Sequence, residues 1–197
     1  MAEGPTPRIF GFHAARTRQL RRAGFEGDYV WVGIRDGALE LIGEDSGFLR
    51  VPVQDIVRIR AGFIEAKPIA YRTILWCRGG GRPFYLYPQP SHHFLYTPAI
   101  RDLAAAVAAH GGIARVERGT SAADALLTPL LMAIPALGGV AVAAWIVTDA
   151  TWWQRLAIPA IPLVLLALLG WRAVTRHFPR SVGTLSDLDR QLPRISP

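Results

Sequence analysis

Between residues 29 and 87 apolar and polar positions alternate in short runs broken by turn residues, the period-two signature of half-buried strands. Residues 29–34 lead into Asp36-Gly37, a pair suited to a tight hairpin, followed by 38–42, a turn across 44–47, and 48–53. In that last run Leu49, Val51 and Val53 alternate with Arg50, Pro52 and Gln54, which predicts one buried and one solvated face. Residues 56–61, 71–78 and 84–87, with a glycine turn at Gly79, Gly80 and Gly81, complete six strands. The period then changes. Thr97 is placed to cap a helix, Pro98 suits its first position, and Ile100, Leu103, Ala104 and Val107 form one apolar face before Gly111-Gly112 ends it. Strands closed by one amphipathic helix predict an α+β domain built on a curved antiparallel sheet or small barrel.

Further on, the pattern becomes continuously apolar. Residues 125–148 hold no charge and as a helix would measure about 36 Å, against a bilayer core of about 30 Å. Residues 156–171 form a shorter run of about 24 Å, which spans if Arg172 snorkels and the helix continues to residue 174. Trp152, Trp153, Trp171 and Arg172 are then the expected interface anchors. The expected organisation is a basic arm at 1–24, a folded domain at 25–118 and a linker at 119–124. A transmembrane hairpin at 125–148 and 156–174 follows, joined by a loop at 149–155, and a basic tail at 175–197 ends the chain. Pro129, Pro135, Pro159 and Pro162 predict kinks, and Ala136, Gly139 and Ala143 a close-packing stripe.

Charge modifies this picture only locally. The net charge is +7, but residues 1–124 carry sixteen Arg and Lys against twelve Asp and Glu, and residues 172–197 five against two. Basic residues flanking a span have a topological explanation, so the expectation is cytoplasmic termini in a bacterial inner membrane, with no nucleic acid as partner. The amino terminus lacks the apolar core of a signal peptide. A single cysteine, Cys77, excludes an internal disulfide and CxxC chemistry.

The strand succession, the segment VPVQDIVRIRAG at 51–62 and the single closing helix resemble the pleckstrin-homology-like (PH-like) domains of bacterial proteins. The resemblance covers residues 25–112 and implies a binding or assembly platform rather than an enzyme. The family's usual seventh strand would come from around Gly11 or from 113–117. Members that read lipid headgroups use a basic loop between the first two strands. The strands read above put only Arg35-Asp36-Gly37 there, which argues against a phosphoinositide cup.

Candidate chemistry is sparse. His92-His93 lacks further ligands at metal spacing, Cys77 sits in an apolar strand, and the glycine triplet lacks the Lys-Ser/Thr end of a phosphate loop. No catalytic, cofactor-binding or metal residue is assigned. The best candidate is the cluster Arg16, Arg18, Arg21 and Arg22, interleaved with Phe10, Phe12 and Leu20, as anionic-lipid contacts. Arg58 and Arg60 on a polar strand face are a second basic pair. The expected function is a membrane-anchored, non-catalytic binding or scaffolding module whose partners are the lipid bilayer and a membrane-associated protein. The alternative is an accessory subunit of a membrane enzyme or transporter that acts through its hairpin.

Overall fold

Asp36 and Gly37, both left-handed with φ of 49° and 68°, turn β2 (Tyr29–Arg35) into β3 (Ala38–Gly43). Asp tolerates this backbone and glycine adopts it without strain, so the hairpin forms where the sequence placed it. The computed structural model describes residues 11–64, 69–79, 81–146, 163–168, 170–172, 174–175 and 177–193. β1 (Gly11–Ala15) joins β2 on one side and β4 (Phe48–Pro52) joins β3 on the other, giving an antiparallel sheet in the order β1-β2-β3-β4. A 3-10 turn at Val53–Asp55 leads into the antiparallel meander β5 (Ile56–Ile64), β6 (Ala70–Cys77) and β7 (Phe84–Leu86). The sheets meet where the backbone N–H of Ala15 donates to the Tyr87 carbonyl and that of Gln89 to the His13 carbonyl, each at 2.8 Å.

Period-two burial sorts the side chains. Val30, Val32, Leu39 and Leu41 from the first sheet face Ile59, Leu75 and Leu86 from the second, all essentially inaccessible. Helix α2 (His93–Gly111) closes this core with Tyr96, Ile100, Leu103 and Val107. Each fully buried aliphatic side chain contributes about 1.5–3 kcal/mol, so truncating Leu103 alone would cost a large share of a small domain's stability. The helix starts earlier than its capping signals predict, after a 3-10 turn at Pro90–His92, with Pro98 inside it and no side-chain cap at His92. Burial of Tyr96 and Thr97 extends the helix past its local signals, and the Thr97 hydroxyl donates to the Pro193 carbonyl instead.

Both sources expected for a seventh strand are used. Gly11–Ala15 is β1, and Val116–Arg118 is β8, parallel to β5. The end of the chain then completes the second sheet: β9 (Arg180–Ser181) pairs with β8, giving the order β7-β6-β5-β8-β9. Helix α4 (Ser186–Asp189) follows, and Val182, Leu188 and Leu192 are buried in the same core. The segment read as a basic tail is therefore structural in its described residues.

The chain divides into one unit made of Met1–Gly119 with Pro179–Pro197 and a second made of Thr120–Phe178. In the second, α3 (Ala122–Ile146) opens with a side-chain cap from Ser121: the Asp124 N–H donates to Ser121 Oγ at 3.1 Å, and that hydroxyl donates to the Asp124 carboxylate at 2.6 Å. The ends of this unit are tied by the Thr120 N–H, which donates to the His177 carbonyl at 2.8 Å.

The transmembrane expectation is corrected here. Among the described residues no helix is long and apolar enough to cross a membrane. A span needs about 20 consecutive apolar residues. Helix α3 takes in Asp124, two prolines and a Gly-Gly pair, and within the second stretch the longest described helical run is 163–168. The two-helix hairpin, and with it the multi-pass inner-membrane placement, is withdrawn, as is the accessory-subunit role that depended on it. The loop at 149–155, Pro159 and Pro162 lie outside the described residues.

Candidate functional site

The connection between β1 and β2 carries the four arginines singled out in the sequence. Thr17 caps the short helix α1 (Arg18–Arg22), its hydroxyl accepting from the Leu20 N–H at 3.4 Å. Leu20 and the following Phe25 are each only 1% exposed and pin this connection to the core. With Leu20 inward, Arg18, Arg21 and Arg22 remain exposed. Arg18 and Arg22 lie four residues apart, on one side of the helix. Arg16 is set apart, its guanidinium donating to the Phe25 carbonyl at 3.3 Å.

Arg18 and Arg22 line a cleft of about 840 Å³ with Thr17, Gln19, Arg82, Pro83, Tyr85 and Tyr87. The structure therefore gathers two of the four expected arginines and adds Arg82 from the turn between β6 and β7. Arg16 and Arg21 are not among the lining residues. The Gln19 side-chain amide donates to the Arg82 carbonyl at 3.4 Å, linking the helix wall to the turn wall. On β7 the alternation puts Leu86 fully into the core and leaves Tyr85 and Tyr87 half-buried on the other face. Their rings are nearly parallel, 11° apart, with centroids separated by 6.5 Å. The buried Arg72 holds its guanidinium over the Tyr85 ring, 5.8 Å from its centroid. Among the described residues, three arginines and no carboxylate line the cleft. Guanidinium forks match phosphate and carboxylate oxygens bidentately.

The other candidates resolve into structure. Arg60 is paired with Glu117, with N···O distances of 2.7 and 2.6 Å, and Arg58 approaches the same carboxylate at 3.3 Å. Both guanidinium groups lie over the Trp76 ring, at 3.9 and 4.9 Å, so this pair clamps β5, β6 and β8. His92 and His93 point to different partners. The His13 backbone N–H donates to His92 Nδ1 at 3.1 Å, whereas His93 meets the Tyr71 ring edge-on at 4.9 Å. Burial lowers the pKa of His93 below its ordinary 6.5. Among the described residues no group of three or more His, Cys, Asp or Glu could hold a metal ion. The Cys77 thiol is raised above its ordinary 9.0, first by burial and then by Asp55, which suppresses the reactive thiolate. Trp171 and Arg172 are exposed helical residues, and Trp152, Trp153 and Phe10 lie outside the described residues.

Arg82, Tyr85 and Tyr87 were missed in the sequence. The available signal was the outward alternation of the two tyrosines around Leu86, next to an arginine in a glycine-rich turn. No family model, curated protein or solved structure matches this chain.

Proposed function

We propose that this chain is a non-catalytic binding module, PH-like in design, whose basic cleft takes an anionic, phosphate-bearing ligand and through it a partner. The observation that carries the proposal is the convergence of Arg18, Arg22 and Arg82 from two separate elements on one cleft with no acidic residue among its described lining. The topology supports it. A four-stranded antiparallel sheet, a three-stranded meander and a closing helix follow the succession that the resemblance implies. β1 also shifts the first inter-strand connection from 35–37 to 16–28, so the loop in which such domains carry basic residues is here the one bearing Arg16, Arg18, Arg21 and Arg22. Among the lining residues no nucleophile is paired with a base; the Thr17 hydroxyl caps α1.

The test is calorimetric titration of the full chain with pyrophosphate and with inositol hexakisphosphate. Binding should weaken about tenfold in Arg18→Gln and in Arg22→Gln, corresponding to about 1.4 kcal/mol each, and fall with rising salt. Vesicles bearing phosphorylated inositol lipids distinguish a headgroup from a free ligand. Absence of binding to either soluble probe, with the domain folded, rejects the proposal.

A further inference from the structure

A site for a bare anion has no use for two tyrosines and a proline, yet Pro83, Tyr85 and Tyr87 make up one wall of the cleft. Tyr85 on β7 and Tyr87 just past its end sit two residues apart, with ring planes 11° from parallel. Tyr85 is further held by the Arg72 guanidinium. Ordered, nearly parallel aromatic rings are surfaces on which a planar ring stacks with little loss of side-chain freedom. A volume of about 840 Å³ also exceeds what a phosphate or pyrophosphate needs and falls in the usual range for small-molecule sites, about 300–1,000 Å³.

From these features we infer that the ligand is a nucleotide: a planar base against Tyr85 and Tyr87, and a di- or monophosphate on Arg18, Arg22 and Arg82. The inference rests on the reading of the cleft as an anion site and adds the ring to it. Charge supports the assignment of ends. The arginines come from α1 and from the turn before β7, whereas Tyr85 lies on β7 and Tyr87 directly after it, so a ligand lying along this wall meets cations and rings in different places. Thr17, Gln19 and the two phenol hydroxyls add hydrogen-bonding groups at the lining that suit a sugar.

The experiment titrates the full chain with ADP, UDP, pyrophosphate, adenosine and inositol trisphosphate, and with a single-stranded oligonucleotide as competitor. The expected result is at least one nucleoside diphosphate binding tenfold or more tightly than pyrophosphate and than adenosine. Tyr85→Leu and Tyr87→Leu should abolish that advantage while leaving pyrophosphate binding in place. The wild-type selectivity alone decides the question if either variant fails to fold. Pyrophosphate or inositol trisphosphate binding as tightly as the nucleotides overturns the ring inference and leaves the anion site standing. An oligonucleotide that binds tenfold more tightly than ADP overturns the free nucleotide in favour of a nucleic-acid strand. No binding by any probe rejects both.

Discussion

Thr97 donates its hydroxyl proton to the carbonyl oxygen of Pro193 at 2.9 Å, joining the N-terminal part of α2 to the end of the described chain across 96 positions. Thr97 is 5% exposed, so neither group has ready access to water as a substitute partner. Around this bond Leu188 and Leu192 enter the core, and Arg101 pairs with Asp189 at 2.6 Å.

The first prediction follows from that contact. Leu188→Ala should destabilise the domain by about 2–4 kcal/mol and Thr97→Ala by about 1–2 kcal/mol, measured by urea unfolding. Removal of the exposed Arg101–Asp189 pair should cost under about 1 kcal/mol. A Leu188→Ala variant as stable as the parent would show that the C-terminal segment is an appendage rather than part of the core.

This segment also marks the limit of what was legible. Val182, Leu185, Leu188 and Leu192 recur at spacings of three and four, a helical signal that Arg180 and Arg190 obscured by suggesting a solvated tail. The strands from Tyr29 to Leu86 were legible because alternation and turn residues are local properties of the chain. β8 and β9 have three and two residues and exist only through their partners, so no local pattern could announce them. The cleft was half legible for the same reason. Arg18 and Arg22 stood out as a cluster, whereas Arg82 and the tyrosines join them only through the fold. The apolar run after Asp124 was visible as hydrophobic, but its described helices do not meet the requirements of a span.

A second prediction concerns the Glu117 clamp. Its carboxylate holds Arg60, whose side chain is 11% exposed, and Arg58 against Trp76. Glu117→Gln should cost about 2–3 kcal/mol, because it neutralises the carboxylate that faces a largely desolvated guanidinium. The measurement is chemical denaturation. A cost no greater than that of breaking Arg101–Asp189 would mean that solvent screens this cluster more than its burial implies.

A third prediction is a pH dependence on the acid side. Burial lowers the pKa of His93, so the folded state binds fewer protons than the unfolded state between the folded value and 6.5. By linkage His93 contributes stability that is full above 6.5 and is lost as pH falls through its folded value. Thermal stability should therefore fall on acidification below 6.5, and His93→Gln should reduce that slope. An NMR titration placing His93 at or above 6.5 in the folded protein contradicts the prediction.

The last prediction concerns the buried pair Thr73 Oγ and Tyr96 Oη, 2.7 Å apart, with each residue fully inaccessible. Burial drives the Tyr96 phenol well above its ordinary 10.0, outweighing the Thr73 hydrogen bond, which acts in the opposite sense. For an acid raised in this way the stabilising difference is present below 10 and is lost as pH rises towards the folded value, because the unfolded chain ionises first. Alkaline unfolding should accordingly release a tyrosinate absorbance step that coincides with loss of structure. Tyr96→Phe should remove that step and shift unfolding to higher pH. At neutral pH the same variant should lose about 1–2 kcal/mol, since the Thr73 hydroxyl is left without its partner in a site water does not reach. A phenol that ionises while the fold persists would place Tyr96 within reach of solvent and undo the packing of α2 against β6 described above.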